Sequence, residues 1–150
     1  PDAQSVDPEL DVITMAVKVP ETLAHLHYWS VQLTRPAARE EVLDAFSASS
    51  RIALIRMDAG LTALNTVKEL MADLGRPNDN LYEVALWSDM LKVEGDELFY
   101  AYMVDNQAIV IPETIDAIRA LTGTVSAKES IAKTDATLGI GLLTETLGNR

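Results

Sequence analysis

The hydrophobic pattern of this chain switches repeatedly between the two-residue period of β-strands and the 3.6-residue period of α-helices, and no other feature limits its possible folds as much. Alternating or β-branched runs predict strands over 11–19, 25–33, 51–55 and 81–87, and a hairpin over 91–104 that turns at 94–97. Helically spaced runs bounded by Pro, Gly or a capping residue predict helices over 36–47, 61–74, 112–122 and 126–138. This order, ββαβαβββαα, predicts an α/β (α+β) fold with a mixed, mostly antiparallel sheet and helices on one face.

Local signals mark the ends of these predicted helices. Gly75, with a proline two residues later, ends the second helix, and Gly123 ends the third. Ser126 and Glu129 form a capping box at the start of the fourth. The run 139–148 reads as a helix stop followed by a frayed tail.

Composition excludes several functional classes. With 150 residues and 48% hydrophobic content, the chain can bury the core of a single domain over 1–150. Its net charge of −11 would repel a phosphate backbone, so nucleic acid is not an expected partner. No apolar run approaches the roughly 20 residues that span a bilayer, so no membrane is expected. The chain has no cysteine and no secretory start, so we expect it in the cytoplasm, and its loop-like polar start at Pro1 suggests a piece of a longer protein.

The two histidines of the chain, His25 and His27, lie in one predicted strand. Because side chains alternate along a strand, both imidazoles and Trp29 point to the same face. Three interpretations stay open at this point: ordinary histidines with satisfied hydrogen bonds, a metal site completed by a third ligand from elsewhere, and a general acid or base. A base needs a group to activate, and the chain contains neither a nucleophile motif nor a phosphate-binding glycine loop. The polar run 105–107, which precedes a predicted helix, can present amide groups near that helix start or form a plain surface loop.

Four separated motifs resemble the archaeal, type II phosphorylating glyceraldehyde-3-phosphate dehydrogenases: LDVITMAVKVPETLAHLH, DLGRPNDNLYEVALW, IPETIDAIRA and KTDATLGI. They occur in the family's order and spacing across nearly all 150 residues. The resemblance implies the C-terminal catalytic domain of a two-domain enzyme. In that family the preceding sequence supplies a Rossmann domain, the catalytic cysteine and phosphate-binding residues.

The resemblance also implies roles for individual residues. The first histidine of the family's H-x-H pair is the base that generates the thiolate, so His25 takes that role by position, and His27 has no assigned step. The family's cofactor-contacting glutamine corresponds to Asn106, with Gln107 beside it, and Asp105 stands where the family has histidine. Asp135 occupies a place where relatives often carry asparagine, and we expect it to be only a helix-surface residue.

The implied cofactor is NAD or NADP, bound mainly by the Rossmann domain, and the implied substrates are glyceraldehyde 3-phosphate and phosphate. The segment 126–150 is expected to form a C-terminal helix that packs on that domain, and the enzyme is expected to be a homotetramer. Without a cysteine, the 150 residues alone are expected to be inactive. Two alternatives are a non-catalytic interaction module that retains the fold and another two-domain semialdehyde dehydrogenase.

Overall fold

A five-stranded sheet forms the centre of the computed structural model, which describes residues 2–20 and 24–147. The strands are β1 Ala24–Gln32, β2 Ile52–Ile55, β3 Val84–Trp87, β4 Lys92–Glu94 and β5 Glu97–Asp105. Their order is β1-β5-β3-β2, and β4 pairs with β5. Strands β2 and β3 run parallel, whereas the other pairs run antiparallel. The predicted mixed, mostly antiparallel α/β sheet is therefore confirmed.

The described residues also form six α-helices. They are α1 Asp2–Val6, α2 Arg39–Ser47, α3 Leu64–Asp73, α4 Val110–Thr122, α5 Ala127–Leu138 and α6 Leu142–Leu147. Two predicted stops are confirmed, since Gly123 and Gly139 follow α4 and α5 with left-handed φ values of 60° and 66°. The predicted cap of α5 is also present, because Ser126 Oγ accepts the backbone N–H of Glu129 at 3.3 Å.

Hydrophobic clusters lie on both faces of the sheet. One face packs against α3 and α6 through a cluster that includes Ala53, Ile55, Ala85, Met103, Val67, Met71 and Leu143. The other packs against α2 through Leu54, Leu86, Tyr100, Val42, Leu43 and Phe46. Side chains alternate along a strand, so neighbours such as Leu54 and Ile55 belong to different clusters. The fold class stands, but the helices are not confined to one face, because α2 carries its own apolar stripe onto the face opposite α3.

Three predictions about the ends of the chain are wrong. The polar start, expected to be a loop, contains helix α1 over Asp2–Val6. Residues 11–19 form no strand, and Ile13, Met15 and Val17 are more than four-fifths exposed, at 94%, 95% and 84%. Alternation describes a side-chain pattern, but a strand also needs a partner for its backbone groups, and no described strand pairs with this segment. The C-terminal segment is neither a frayed tail after 139 nor one helix over 126–150. Helix α5 ends at Leu138, Gly139 and Gly141 have left-handed φ values, and α6 over 142–147 buries Leu143 against the sheet. Residues 148–150 lie outside the described residues.

The described helices are all too short or too polar to cross a membrane.

Candidate active site

The antiparallel pairing of β1 with β5 brings the sequence-predicted site residues to one end of the sheet. Ala24 pairs with Asp105, and His25 pairs with Val104. The turn 106–109, which contains both predicted cofactor contacts, begins directly after Asp105. We call this region, defined by His25, His27, Asn106 and Gln107, the histidine end.

A row of aromatic rings continues from His25 along this face of the sheet. The His25 and His27 rings are perpendicular, at 87°, with centroids 5.9 Å apart. The His27 ring lies flat on Tyr102, with an interplanar angle of 10° and centroids 4.8 Å apart. Trp29 Nε1 donates to Tyr102 Oη at 3.1 Å, and Tyr102 stacks in turn on Tyr100 at 6.0 Å. The two histidines thus have different surroundings: His25 is exposed at the end of the row, and His27 is half-buried within it.

The pKa shifts of His27 and Tyr102 keep both side chains uncharged at neutral pH. Burial lowers the pKa of His27 below its ordinary value, and the positive charge of a protonated His25 lowers it further. Burial raises the pKa of Tyr102, although the hydrogen bond from Trp29 acts in the opposite direction. At neutral pH, His27 is therefore an uncharged imidazole stacked on an uncharged phenol.

Asp105 organises the turn that carries the two amides. Its Oδ1 accepts the backbone N–H groups of Gln107 and Ala108 at 2.9 and 3.0 Å, and its Oδ2 binds Lys68 Nζ at 2.5 Å. Burial by itself raises the pKa of Asp105, but these hydrogen bonds and the lysine charge outweigh it, so the pKa lies below its ordinary value. The fixed carboxylate leaves the side chains of Asn106 and Gln107 exposed on the turn.

Among the described residues, no group of three or more His, Asp or Glu side chains could hold a metal ion.

A cleft of about 210 Å³ lies at β2, on the sheet edge opposite β1. It is lined by Ser47, Ser49, Ser50, Ile52, Leu54, Gly141 and Thr144. None of these residues carries a charge, and the hydroxyl of Ser50 already donates to Asp135 Oδ2 at 2.5 Å. The cleft is separate from the histidine end and offers no titratable group for catalysis.

A charged cluster missed by the sequence analysis fastens α4 and α5 to the start of β2. Arg51 binds Glu113 and Asp116 at 2.5 Å each, and its Nε donates to Asp135 at 3.0 Å. Burial alone lowers the pKa of Arg51, but these carboxylates raise it above its ordinary value. We call Arg51, Glu113, Asp116 and Asp135 the arginine cluster. Asp135 is only 8% exposed, so the expectation of a helix-surface residue is wrong.

Hydroxyl groups complete the arginine cluster. Ser130 Oγ and Thr134 Oγ1 donate to Asp116 Oδ1 at 2.6 and 2.7 Å. Burial raises the pKa of Asp116, but the hydrogen bonds from Ser130, Arg51 and Thr134 lower it, to a net value of about 2. Ser130 and Thr134 lie one helical turn apart in α5, and this spacing indicated that their hydroxyl groups share a helix face. It did not identify Asp116 as their partner.

A buried ion pair between Arg76 and Glu83 binds the backbone between α5 and α6. The two terminal nitrogens of Arg76 bind the two carboxylate oxygens of Glu83 at 2.5 and 2.6 Å, and both side chains are almost completely buried. Arg76 also donates to the carbonyl of Gly139, and Glu83 accepts the N–H of Gly141. These contacts hold the 139–141 break in place.

Comparison with known proteins supports the resemblance seen in the sequence. The chain is 44% identical over 138 residues to a glyceraldehyde-3-phosphate dehydrogenase of Pyrobaculum calidifontis, covering 92% of this chain and 40% of the relative. Over 140 residues it is 39% identical to the enzyme of that name from Metallosphaera sedula and 37% identical to that from Halobacterium salinarum, covering 93% of this chain in each case and 41% and 42% of those relatives. No protein-family model matches the chain.

The resemblance to archaeal glyceraldehyde-3-phosphate dehydrogenases is thereby confirmed over most of the chain. The chain spans about 40% of the length of the curated relatives it matches.

Proposed function

We propose that the chain is the catalytic-domain part of a phosphorylating glyceraldehyde-3-phosphate dehydrogenase, which acts in the cytoplasm in glycolysis or gluconeogenesis. Such an enzyme oxidises glyceraldehyde 3-phosphate to 1,3-bisphosphoglycerate with NAD or NADP and inorganic phosphate. The observation that carries this proposal is the β1–β5 register, which places an exposed imidazole one residue pair from the turn with the two candidate cofactor-binding amides. The relatives of matching name supply the reaction class.

His25 is the proposed general base. An imidazole can take a proton near neutral pH, and a strand holds it rigidly. Its role would be to remove the proton of a cysteine thiol and then, as an imidazolium, to stabilise the thiolate that attacks the aldehyde carbon. The sequence contains no cysteine, so this thiol would come from outside the 150 residues.

Asn106 and Gln107 are the proposed cofactor contacts. A carboxamide donates through nitrogen and accepts through oxygen, so either side chain can pair with the amide of a nicotinamide ring. Both are exposed, and Asp105 holds the backbone of Gln107 through a 2.9 Å hydrogen bond. The bound cofactor would supply the hydride acceptor, and these side chains would orient it.

Two kinds of partner follow from the proposal. One is a Rossmann domain of the same polypeptide, toward which residues 126–150 would pack; Ile131 and Leu142 in this segment are 40% and 42% exposed. The other is a second copy of the chain in a homotetramer. Exposed apolar side chains on the described surface support self-association, including Ile13, Met15, Val17, Leu26 and Tyr28.

The test compares the 150-residue chain with the polypeptide encoded by the complete reading frame. The complete polypeptide should reduce NAD or NADP with glyceraldehyde 3-phosphate only when phosphate is present, and the chain alone should not. A reading frame without a cysteine motif and a glycine-rich nucleotide-binding loop, together with no reduction of either cofactor, would favour the non-catalytic interaction module. Activity with another semialdehyde but not with glyceraldehyde 3-phosphate would favour a sibling dehydrogenase.

A further inference from the structure

The second histidine of the H-x-H pair has no step in the proposed reaction, yet its ring makes more described contacts than the first. His27 lies flat on Tyr102 at 4.8 Å and perpendicular to His25 at 5.9 Å. Both distances fall in the range of direct ring contact. His27 is therefore the link between the fixed aromatic row and the exposed His25.

Tyr102, on which His27 stacks, is fixed in turn by its own contacts within the protein. Tyr102 accepts a hydrogen bond from Trp29 Nε1 at 3.1 Å and stacks on Tyr100. Tyr100 in turn contacts Phe46 of α2 at 5.3 Å. A side chain fixed in this way loses little further freedom when it supports a neighbour, which is the usual arrangement behind a precisely placed catalytic group.

We propose that His27 is a positioning residue for His25: its ring, stacked flat on Tyr102, contacts the His25 imidazole edge-on and holds it in one orientation. The inference rests on the proposed function for its catalytic meaning. The ring contacts stand independently of it.

The charge state supports this assignment. The titratable groups whose rings contact His27 among the described residues are His25 on its own strand and Tyr102 on β5. Burial lowers the pKa of His27, and His25 lowers it further. Burial raises the pKa of Tyr102, which therefore stays a neutral phenol. A neutral His27 and a neutral Tyr102 add no charge beside His25.

The kinetic test uses the complete polypeptide with two variants of the same position. His27→Leu removes the flat ring and should lower kcat by about 10-fold to 10²-fold with little change in KM, because substrate binding is left intact. His27→Phe keeps a neutral ring against Tyr102 and should recover most of that loss. Tyr102→Leu should lower kcat as His27→Leu does, and the double variant should be no worse than either alone.

The kinetic results can overturn the proposal in two ways. Full turnover in His27→Leu would show that His27 positions nothing. Equal losses in His27→Leu and His27→Phe would show that the imidazole itself, and not its ring contact, is required.

The spectroscopic test uses the 150-residue chain and needs no activity. Since the chain has only two histidines, a single substitution assigns both imidazole resonances. In an NMR pH titration, the pKa of His27 should lie below its ordinary value and should rise in His25→Gln, and His27 should show ring contacts to Tyr102. A His27 that titrates identically in both proteins and lacks these contacts would overturn the proposal. If the contacts are present but the complete polypeptide reduces no cofactor, the proposed function fails and the ring arrangement stands.

Discussion

The histidine end and the arginine cluster use polar side chains in opposite ways. At the histidine end, His25, Asn106 and Gln107 project from a strand and a turn into solvent. In the arginine cluster, Arg51 and Asp135 are shielded and each makes at least two polar contacts within the protein. Side chains whose bonding capacity is used within the fold stabilise it, whereas exposed ones are available to a ligand. We therefore propose catalysis for the first region and expect the second to stabilise the fold.

The largest expected effect on stability concerns the buried pair of Arg76 and Glu83, which shares the character of the arginine cluster. Glu83→Ala leaves the Arg76 guanidinium buried without its carboxylate, and such a loss costs about 3–5 kcal/mol of unfolding free energy. Arg76 Nε already has no hydrogen-bond partner among the described residues, so the site has little capacity to compensate. Urea unfolding followed by circular dichroism measures the change.

The matched control for this prediction is Glu113→Ala. Glu113 also pairs with an arginine, but its side chain is 70% exposed. The carboxylate that is removed is exposed, and Arg51 keeps Asp116 and Asp135 as partners, so the loss should be no more than about 1 kcal/mol. Equal losses in the two variants would break the distinction between buried and exposed pairs.

The second prediction is a pH dependence centred on Asp116. Its pKa is about 2 in the folded chain, against 3.8 for an unperturbed aspartate. A group with a depressed folded pKa contributes stability above its unfolded pKa, and that contribution is lost as the pH falls from about 4 to about 2. Asp116→Asn should remove about 1–2 kcal/mol at pH 7, allowing for solvent screening, and should flatten the acid limb of the stability curve.

Unfolding free energies measured from pH 7 down to pH 2 test this prediction. If the curves for Asp116→Asn and the wild type run parallel through the acid limb, Asp116 is not the group that titrates there.

The arginine cluster could not be predicted from the sequence, because its contacts are not local. Asp135 meets Ser50 and Arg51, which lie 85 and 84 positions away in the chain. A helical pattern shows which side chains of one helix share a face. It does not show which residues of another helix or strand they contact. The missing strand over 11–19 has the same cause, since alternation cannot supply the neighbouring strand that a ladder requires.

The third and smallest prediction concerns a cap that the sequence did identify. Ser126→Ala removes the oxygen that accepts the N–H of Glu129 at the start of α5, at a cost of about 1 kcal/mol. Thermal unfolding should show a correspondingly small fall in Tm. Ser126→Asp, which retains an acceptor, should have the Tm of the wild type. A Ser126→Ala variant with the wild-type Tm would show that α5 is held by its packing alone.

Local chemistry explains why this cap, the glycine stops and the 94–97 turn could be predicted. Each depends on a few consecutive residues, as the left-handed Gly123 and Gly139 show. The candidate active site could be predicted in part, unlike the arginine cluster, which was missed, and the cap of α5, which was predicted. Sequence placed His25 and His27 on one face of a strand, but only the β1–β5 register shows that Tyr102 supports one of them and that Asn106 lies at the same end.

The most direct test of the division between the two regions is the replacement His25→Asn in the complete polypeptide, with kcat and unfolding free energy measured on the same preparation. We expect kcat to fall by a factor of about 10² or more, because the proposed general base is lost. The unfolding free energy should change by less than about 0.5 kcal/mol, because the residue is exposed. Wild-type turnover in this variant would contradict the account, as would a loss of activity that is matched by a loss of folding.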